Sequence, residues 1–243
     1  MTSSRSLIVH SRNRIRPLVD TASNCIINLT QPLEDGTYTL QEFYLPITFY
    51  PIDTNNNSLS VDIAGTTYTG TIVPGIYTVS TLPAAVKASL DAACIVPGIT
   101  FTVTYSATTM KLTITASAGN FSILGSITTN SGWEMLGFSA QDTAQAVSHT
   151  GDMIVNLLKT LHVTVHIDQA SGRFIDSKGQ VSTFIVPITN MTGEVLLYRP
   201  ELGNVANIAK FNRTNTLNIR LSDDTGNILN LNGAEYYLIL TRT

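Results

Sequence analysis

The chain has 243 residues and a net charge of −3, with charged residues making up 13% of it and apolar residues 43%. A chain that stays soluble alone usually carries more charge, so this neutral, Ser/Thr/Asn-rich surface is expected to be covered in part by neighbours. Cys25 and Cys94 form no CxxC pair and exclude a disulfide framework, leaving one bridge open, and no apolar run approaches the roughly 18 residues of a membrane span or the core of a secretion signal.

Arg5, Arg12, Arg14 and Arg16 all precede the first acid, Asp20. Residues 1–19 therefore read as a basic N-terminal arm, with these four arginines as its candidate partner-binding residues. Three states are open to it: a solvated terminus, an arm that orders on a neighbouring subunit, or contact with nucleic acid or anionic lipid. Nucleic acid ranks last, because no aromatic side chains are interleaved with the arginines, while membrane contact through the arm stays open.

Beyond the arm, period-two alternation punctuated by Gly, Pro, Asn and Asp predicts strands at 25–30, 37–49, 58–63 and 68–73. One segment, 80–94, departs from this period. Leu82, Val86, Leu90 and Cys94 recur every four residues and form one stripe of a helix, with Pro83 in the first turn and Ser80 or Thr81 placed to cap it. Strands resume at 99–105, 111–116 and 120–124, and a polar exit at 139–151 leads to further candidates at 153–167, 181–188, 194–199, 216–222, 227–231 and 235–242. The chain is all-β, with residues 59–150 forming a small α+β unit inserted into a larger β domain made of 20–58 and 151–243.

The acidic pair in RLSDDTGNILNLNG sets chemistry against chain reversal. Asp223 can bind backbone N–H groups two residues on and Gly226 can supply positive φ, so a turn accounts for every residue. Paired catalytic carboxylates should instead face each other at about 5–10 Å, which adjacent turn residues do not do. With a second turn at Leu231–Gly233, the C-terminal segments read as a three-stranded meander.

His162 and His166 imitate a helical zinc pair, but alternation with Val163, Val165 and Ile167 makes a strand and separates them by about 13 Å. Asp53, Asn55 and Asn57 imitate the start of a calcium loop, yet Ser58 stands where its glycine should be and Ala64 where its bidentate glutamate should be. No nucleophile or phosphate-cradling motif occurs, and neither a metal nor a cofactor is expected. Asn28, Asn56, Asn120, Asn190 and Asn212 begin glycosylation triplets of the kind that an Asn/Thr/Ser-rich composition produces by chance.

Two patterns carry a family resemblance. GIYTVSTLPAAVKASL, followed by FTVTYSATTMKLTITA, FSIL and EMLGFS, gives Gly-x-Tyr-x-x-x-x-Leu, a helix, a hairpin and Leu-Gly-Phe. This resembles the inserted unit of penton and related minor capsid proteins of tailless icosahedral double-stranded DNA viruses. TLNIRLSDDTGNILNLNGAEYYLIL resembles the last strands of the single jelly-roll in the same proteins.

The resemblance implies a single jelly-roll β-sandwich in a capsid vertex protein, a homopentamer contacting major and minor capsid proteins, assembled inside the host cell and residing in the virion. A vertex fibre or receptor could meet the insertion. Two other functions compete with this one. An attachment protein recognising a host receptor or glycan would need exposed aromatics, for which Tyr68, Tyr77 and Trp133 are available, and a β-fold hydrolase would need carboxylates brought into one cleft.

Overall fold

The computed structural model describes residues 6–158, 160–171, 174–175, 181–201 and 208–243. Along the chain run β1 (Ser6–His10), β2 (Asn24–Leu33), β3 (Gly36–Pro46), β4 (Ser58–Ile63) and β5 (Thr66–Thr71), then the helix α1 (Leu82–Ala93). β6 (Phe101–Ser106), β7 (Lys111–Ala116), β8 (Ser122–Ile123) and β9 (Ser148–Thr150) follow, and after them β10 (His162–Ile167), β11 (Ala170–Ser171), β12 (Phe174–Ile175) and β13 (Val181–Ser182). β14 (Phe184–Pro187), β15 (Val195–Tyr198), β16 (Ile208–Phe211), β17 (Thr214–Ser222) and β18 (Tyr237–Arg242) complete the order. The chain divides into two compact units, Met1–Phe49 with Thr160–Thr243, and Tyr50–Lys159.

The larger unit is a jelly-roll sandwich of two antiparallel sheets. One has the order β1-β18-β3-β16-β11, with β15 also on β3, and the other the order β14-β10-β17-β2. Alternate residues of each strand meet between them: Val163 and Val165 of β10, Leu217, Ile219 and Leu221 of β17, and Leu238 and Leu240 of β18 are fully buried. Removing these faces from water is the main term holding the sheets together.

β3 shows how this chain keeps its apolar side inward despite a change of phase. Tyr38 and Leu40 are buried at even positions, Phe43 and Leu45 at odd ones. The register against β18 shifts at the same point, Leu240 facing Leu40 and Ile239 facing Glu42, so Gln41 is the extra residue of a β-bulge. One inserted residue returns the second half of the strand to the core face.

The C-terminal meander is not formed. β17 belongs to the four-stranded sheet and β18 to the other, and between them only an isolated Ser222–Ile228 bridge continues the first pairing. The turn at 231–234, with Asn232 and Gly233 both at positive φ, instead leads the chain across from one sheet to the other. Likewise only His162–Ile167 of the predicted 153–167 strand is a strand, and Lys159 lies outside the described residues.

The smaller unit contains two three-stranded sheets, β5-β4-β8 and β6-β7-β9, with α1 packed on β5 and β6. The helix buries Leu82, Val86 and Leu90, and Cys94 follows at its end, so the predicted stripe is the buried face. Thr81 stands at the N-cap, but its hydroxyl accepts the Thr78 N–H at 3.0 Å and no side chain caps the helix. Gly70 lets α1 lie close against β5: a Cβ there would stand 2.5 Å from the Ser89 hydroxyl and 2.6 Å from its carbonyl oxygen.

This unit reaches further in both directions than the expected 59–150. Ile52 is buried in its core, while Val155 and Leu157 pack against that core. The polar exit at 139–151 is bound as well: β9 pairs with β7, and Thr150 and Ser148 exchange hydroxyl hydrogen bonds with Thr113 and Thr115. No helix among the described residues is long and apolar enough to cross a membrane.

Candidate interaction surface

Arg5 lies outside the described residues. From Ser6 onward the stretch expected as an arm is built into the sandwich, because β1 pairs along its whole length with β18 and buries Val9. Arg14 is held internally: its guanidinium lies 2.6 Å from the Glu235 carboxylate and donates to the Ser11 carbonyl at 3.1 Å. The Ser11 hydroxyl donates to Glu235 too. Burial raises the Glu235 carboxyl, but the Ser11 and Arg14 hydrogen bonds outweigh it and hold the group below its usual range. Arg12 and Arg16 remain exposed, with Arg16 reaching Asp20 at 3.0 Å.

The outer face of the six-stranded sheet carries a lateral row. His10, Tyr237, Tyr44 and Leu197 stand directly opposite one another across β1, β18, β3 and β15. The Tyr44 and Tyr237 rings stack with centroids 5.0 Å apart, and the His10 ring lies 5.2 Å from that of Tyr237. Beside the row, Glu42 accepts hydrogen bonds from the Tyr237 hydroxyl and from Arg199 Nε, the latter at 2.8 Å. These two donors lower the Glu42 carboxyl, and the carboxylate in turn raises the Tyr237 phenol.

The acids of RLSDDTGNILNLNG build a turn. Asp223 Oδ1 accepts the N–H groups of Thr225 at 3.0 Å and Asn227 at 2.8 Å, and the Thr225 hydroxyl at 2.7 Å. Gly226, at φ 93°, donates back to the Asp223 carbonyl. Asp224 points elsewhere, its Oδ2 accepting the Leu161 N–H at 3.2 Å. His162 and His166 both lie on β10, where His166 Nε2 meets the Ser222 hydroxyl at 2.8 Å. In the 53–57 loop, Asp53 Oδ1 accepts the Asn55 N–H, whereas the Asn57 amide turns inward to the Ile72 carbonyl. Among the described residues no group of three metal-ligating side chains occurs.

In the smaller unit the motifs behind the resemblance have structural work. Gly137, at φ 89°, sits where a Cβ would fall 2.3 Å from the Met153 carbonyl oxygen, and the residues on either side, Leu136 and Phe138, are buried. The Tyr77 hydroxyl donates to the Val73 carbonyl at 2.7 Å, closing the Gly-x-Tyr turn. Trp133 does not belong to an exposed aromatic cluster. It is 1% exposed, with its indole N–H on the Ser60 carbonyl at 3.0 Å, and Tyr68 and Tyr77 pack partly against the core. Cys25 and Cys94 are buried free thiols in the separate cores of the two units, and burial pushes each up to about 11.

Fold and surface together define a single jelly-roll with an inserted α+β domain, in which the described polar clusters brace turns and strand ends. No protein-family model matches the chain, and no curated protein matches it. Among solved structures, the chain is similar to the crystal structure of the mavirus penton protein, with a TM-score of 0.57 and 11% identity over 99% of each chain. A chain of the Sputnik virophage structure aligns at a TM-score of 0.39 and 13% identity, over 98% of this chain and 97% of that one. The first of these likenesses establishes the jelly-roll fold.

Proposed function

We propose that the chain is a structural subunit of a virion: a penton-like capsid protein that forms homopentamers at five-fold vertices, contacts the neighbouring major and minor capsid proteins, and is assembled inside the host cell. The observation that carries this reading is the end-to-end correspondence with the mavirus penton protein, which spans 99% of both chains and so takes in the insertion as well as the sandwich. The low charge and the use of Asp223, Glu235 and Glu42 as internal hydrogen-bond acceptors point the same way, toward work done by shape and contact. A receptor- or glycan-binding role loses its main motive with Trp133 in the core.

The test is native mass measurement of the purified full chain together with localisation in intact particles. Five copies per ring, and density or label at the vertices, are the expected results. A protein that stays a single subunit at high concentration and is absent from purified particles would overturn the reading.

A further inference from the structure

We propose that the sandwich presents two complementary lateral faces, and that a second copy of this chain docks one against the other, head to tail. This rests on the assembly reading above and identifies the surfaces that would close the ring. Among the described residues of the larger unit, nine large apolar side chains are exposed, and seven of them fall in two places.

The first place is the connection from β1 to β2. It leaves the edge of one sheet and returns along the edge of the other, with the Ser11 N–H on the Tyr236 carbonyl and Arg14 bridged to Ile27 of β2, so it closes one side of the sandwich. Ile15, Leu18 and Val19 project from it, Leu18 being 98% exposed, and Ile8 stands beside it on the outer face of β1. Such a side chain on a folded, strand-anchored segment is a knob without a socket.

The second place is the connection from β14 to β15. β14 is the edge of its sheet opposite β2, and β15 lies on the side of β3 away from β18 and β1, so this connection closes the other side. It is held in place by Ile47 N–H on the Glu194 carbonyl and Gly193 N–H on the Ile47 carbonyl. Met191, 78% exposed, projects here, and Val195 and Leu197 stand beside it at the outward-facing positions of β15.

Charge matches the two sides to each other. The first carries Arg12, Arg14 and Arg16 against Asp20 and Glu235, three positive charges to two negative, and the second carries exposed Glu194, while Arg199 at the far end of β15 is engaged by Glu42. A cationic apolar face and an anionic apolar face on opposite sides of one unit favour contact between unlike faces and disfavour contact between like ones. A contact between two different patches, repeated by rotation, is heterologous and closes into a ring.

The test uses the full chain with Leu18→Asp and Met191→Asp, two substitutions at exposed positions, each checked by circular dichroism for an unchanged fold. Each variant alone should lose the ring in native mass measurement. Mixed, they should form dimers and nothing larger, because the intact first face of the Met191→Asp chain meets the intact second face of the Leu18→Asp chain. Arg12→Glu should weaken the ring and Glu194→Arg in the same chain should restore it. Rings that survive either single substitution, or a mixture that yields no dimer, would overturn the proposal while leaving the assembly reading standing. A wild-type chain that is a lone subunit would end both.

Discussion

The Arg14 guanidinium and the Glu235 carboxylate meet at 2.6 Å, joining the segment after β1 to the residue two before β18. Both side chains are largely buried, and the Ser11 hydroxyl supplies a second donor to the same carboxylate. The pair pins the first strand to the last one.

Arg14→Ala should therefore cost about 1–3 kcal/mol, because it leaves a largely buried carboxylate with one donor fewer. Chemical denaturation measures the loss, and hydrogen exchange should show Ser6–His10 opening first. The acid dependence has a definite sign. The folded carboxyl of Glu235 is held below its unfolded value, so its contribution is fully present above the unfolded pKa of about 4.3 and is lost as pH falls through the folded pKa. Glu235→Gln should flatten the acid limb of the stability profile below about pH 4.3, with little change in the slope near pH 7.

Gly70 and Gly65 should respond to alanine for different reasons. At Gly70 the new Cβ meets both the Ser89 hydroxyl and its backbone carbonyl, so α1 must move off β5 and the cost should be about 2–3 kcal/mol. Ser89→Ala will not rescue it, since the carbonyl remains. At Gly65 nothing lies within 4 Å, and only φ of 81° opposes a side chain, so the loss should be about 1 kcal/mol. Thermal unfolding of the two single variants and of the Gly70→Ala, Ser89→Ala pair separates the two mechanisms.

Asp223 and Asp224 are neighbours in sequence with unequal stakes. Asp223→Ala removes the acceptor for two backbone N–H groups and one hydroxyl at a buried position and should destabilise by about 2–3 kcal/mol, with Asp223→Asn keeping part of that. Asp224→Ala loses the single bond to Leu161 and should cost about 1 kcal/mol or less. Equal losses at the two positions in urea denaturation would contradict the turn geometry.

How much of this was legible in the sequence depended on whether apolar period and turn chemistry acted alone. The Leu82–Leu90 stripe, the DDTGN turn and the β10 alternation each state their own local answer, and the structure repeats them. β9 was hidden because Ser148, His149 and Thr150 have no apolar alternation, and their pairing comes from hydroxyls on β7, over 30 residues away. β1 was hidden because four arginines dominate its surroundings, although Leu7–Val9 are apolar and Val9 alone is buried. The expected meander does not form: local pattern does not say to which sheet a strand returns. Separation into two lateral faces was out of reach for the same reason: Leu18 and Met191 acquire their places only through the order of the strands.

The bulge at Gln41 gives the most demanding prediction. Tyr38 and Leu40 reach the core on one phase and Phe43 and Leu45 on the other, and the extra residue between them reconciles the two halves. Deleting Gln41 should turn one half of β3 outward, exposing either Tyr38 with Leu40 or Phe43 with Leu45, and each fully buried large side chain is worth roughly 1.5–3 kcal/mol. A loss of that size exceeds much of the stability of an ordinary domain, so the deletion variant should be insoluble or unfolded. Gln41→Ala keeps the residue count and changes only an exposed side chain, so its stability should stay within about 0.5 kcal/mol of the wild type. Soluble expression and the denaturation midpoint of the two variants check the claim, and a well-folded deletion would show that the strand can change register without its bulge.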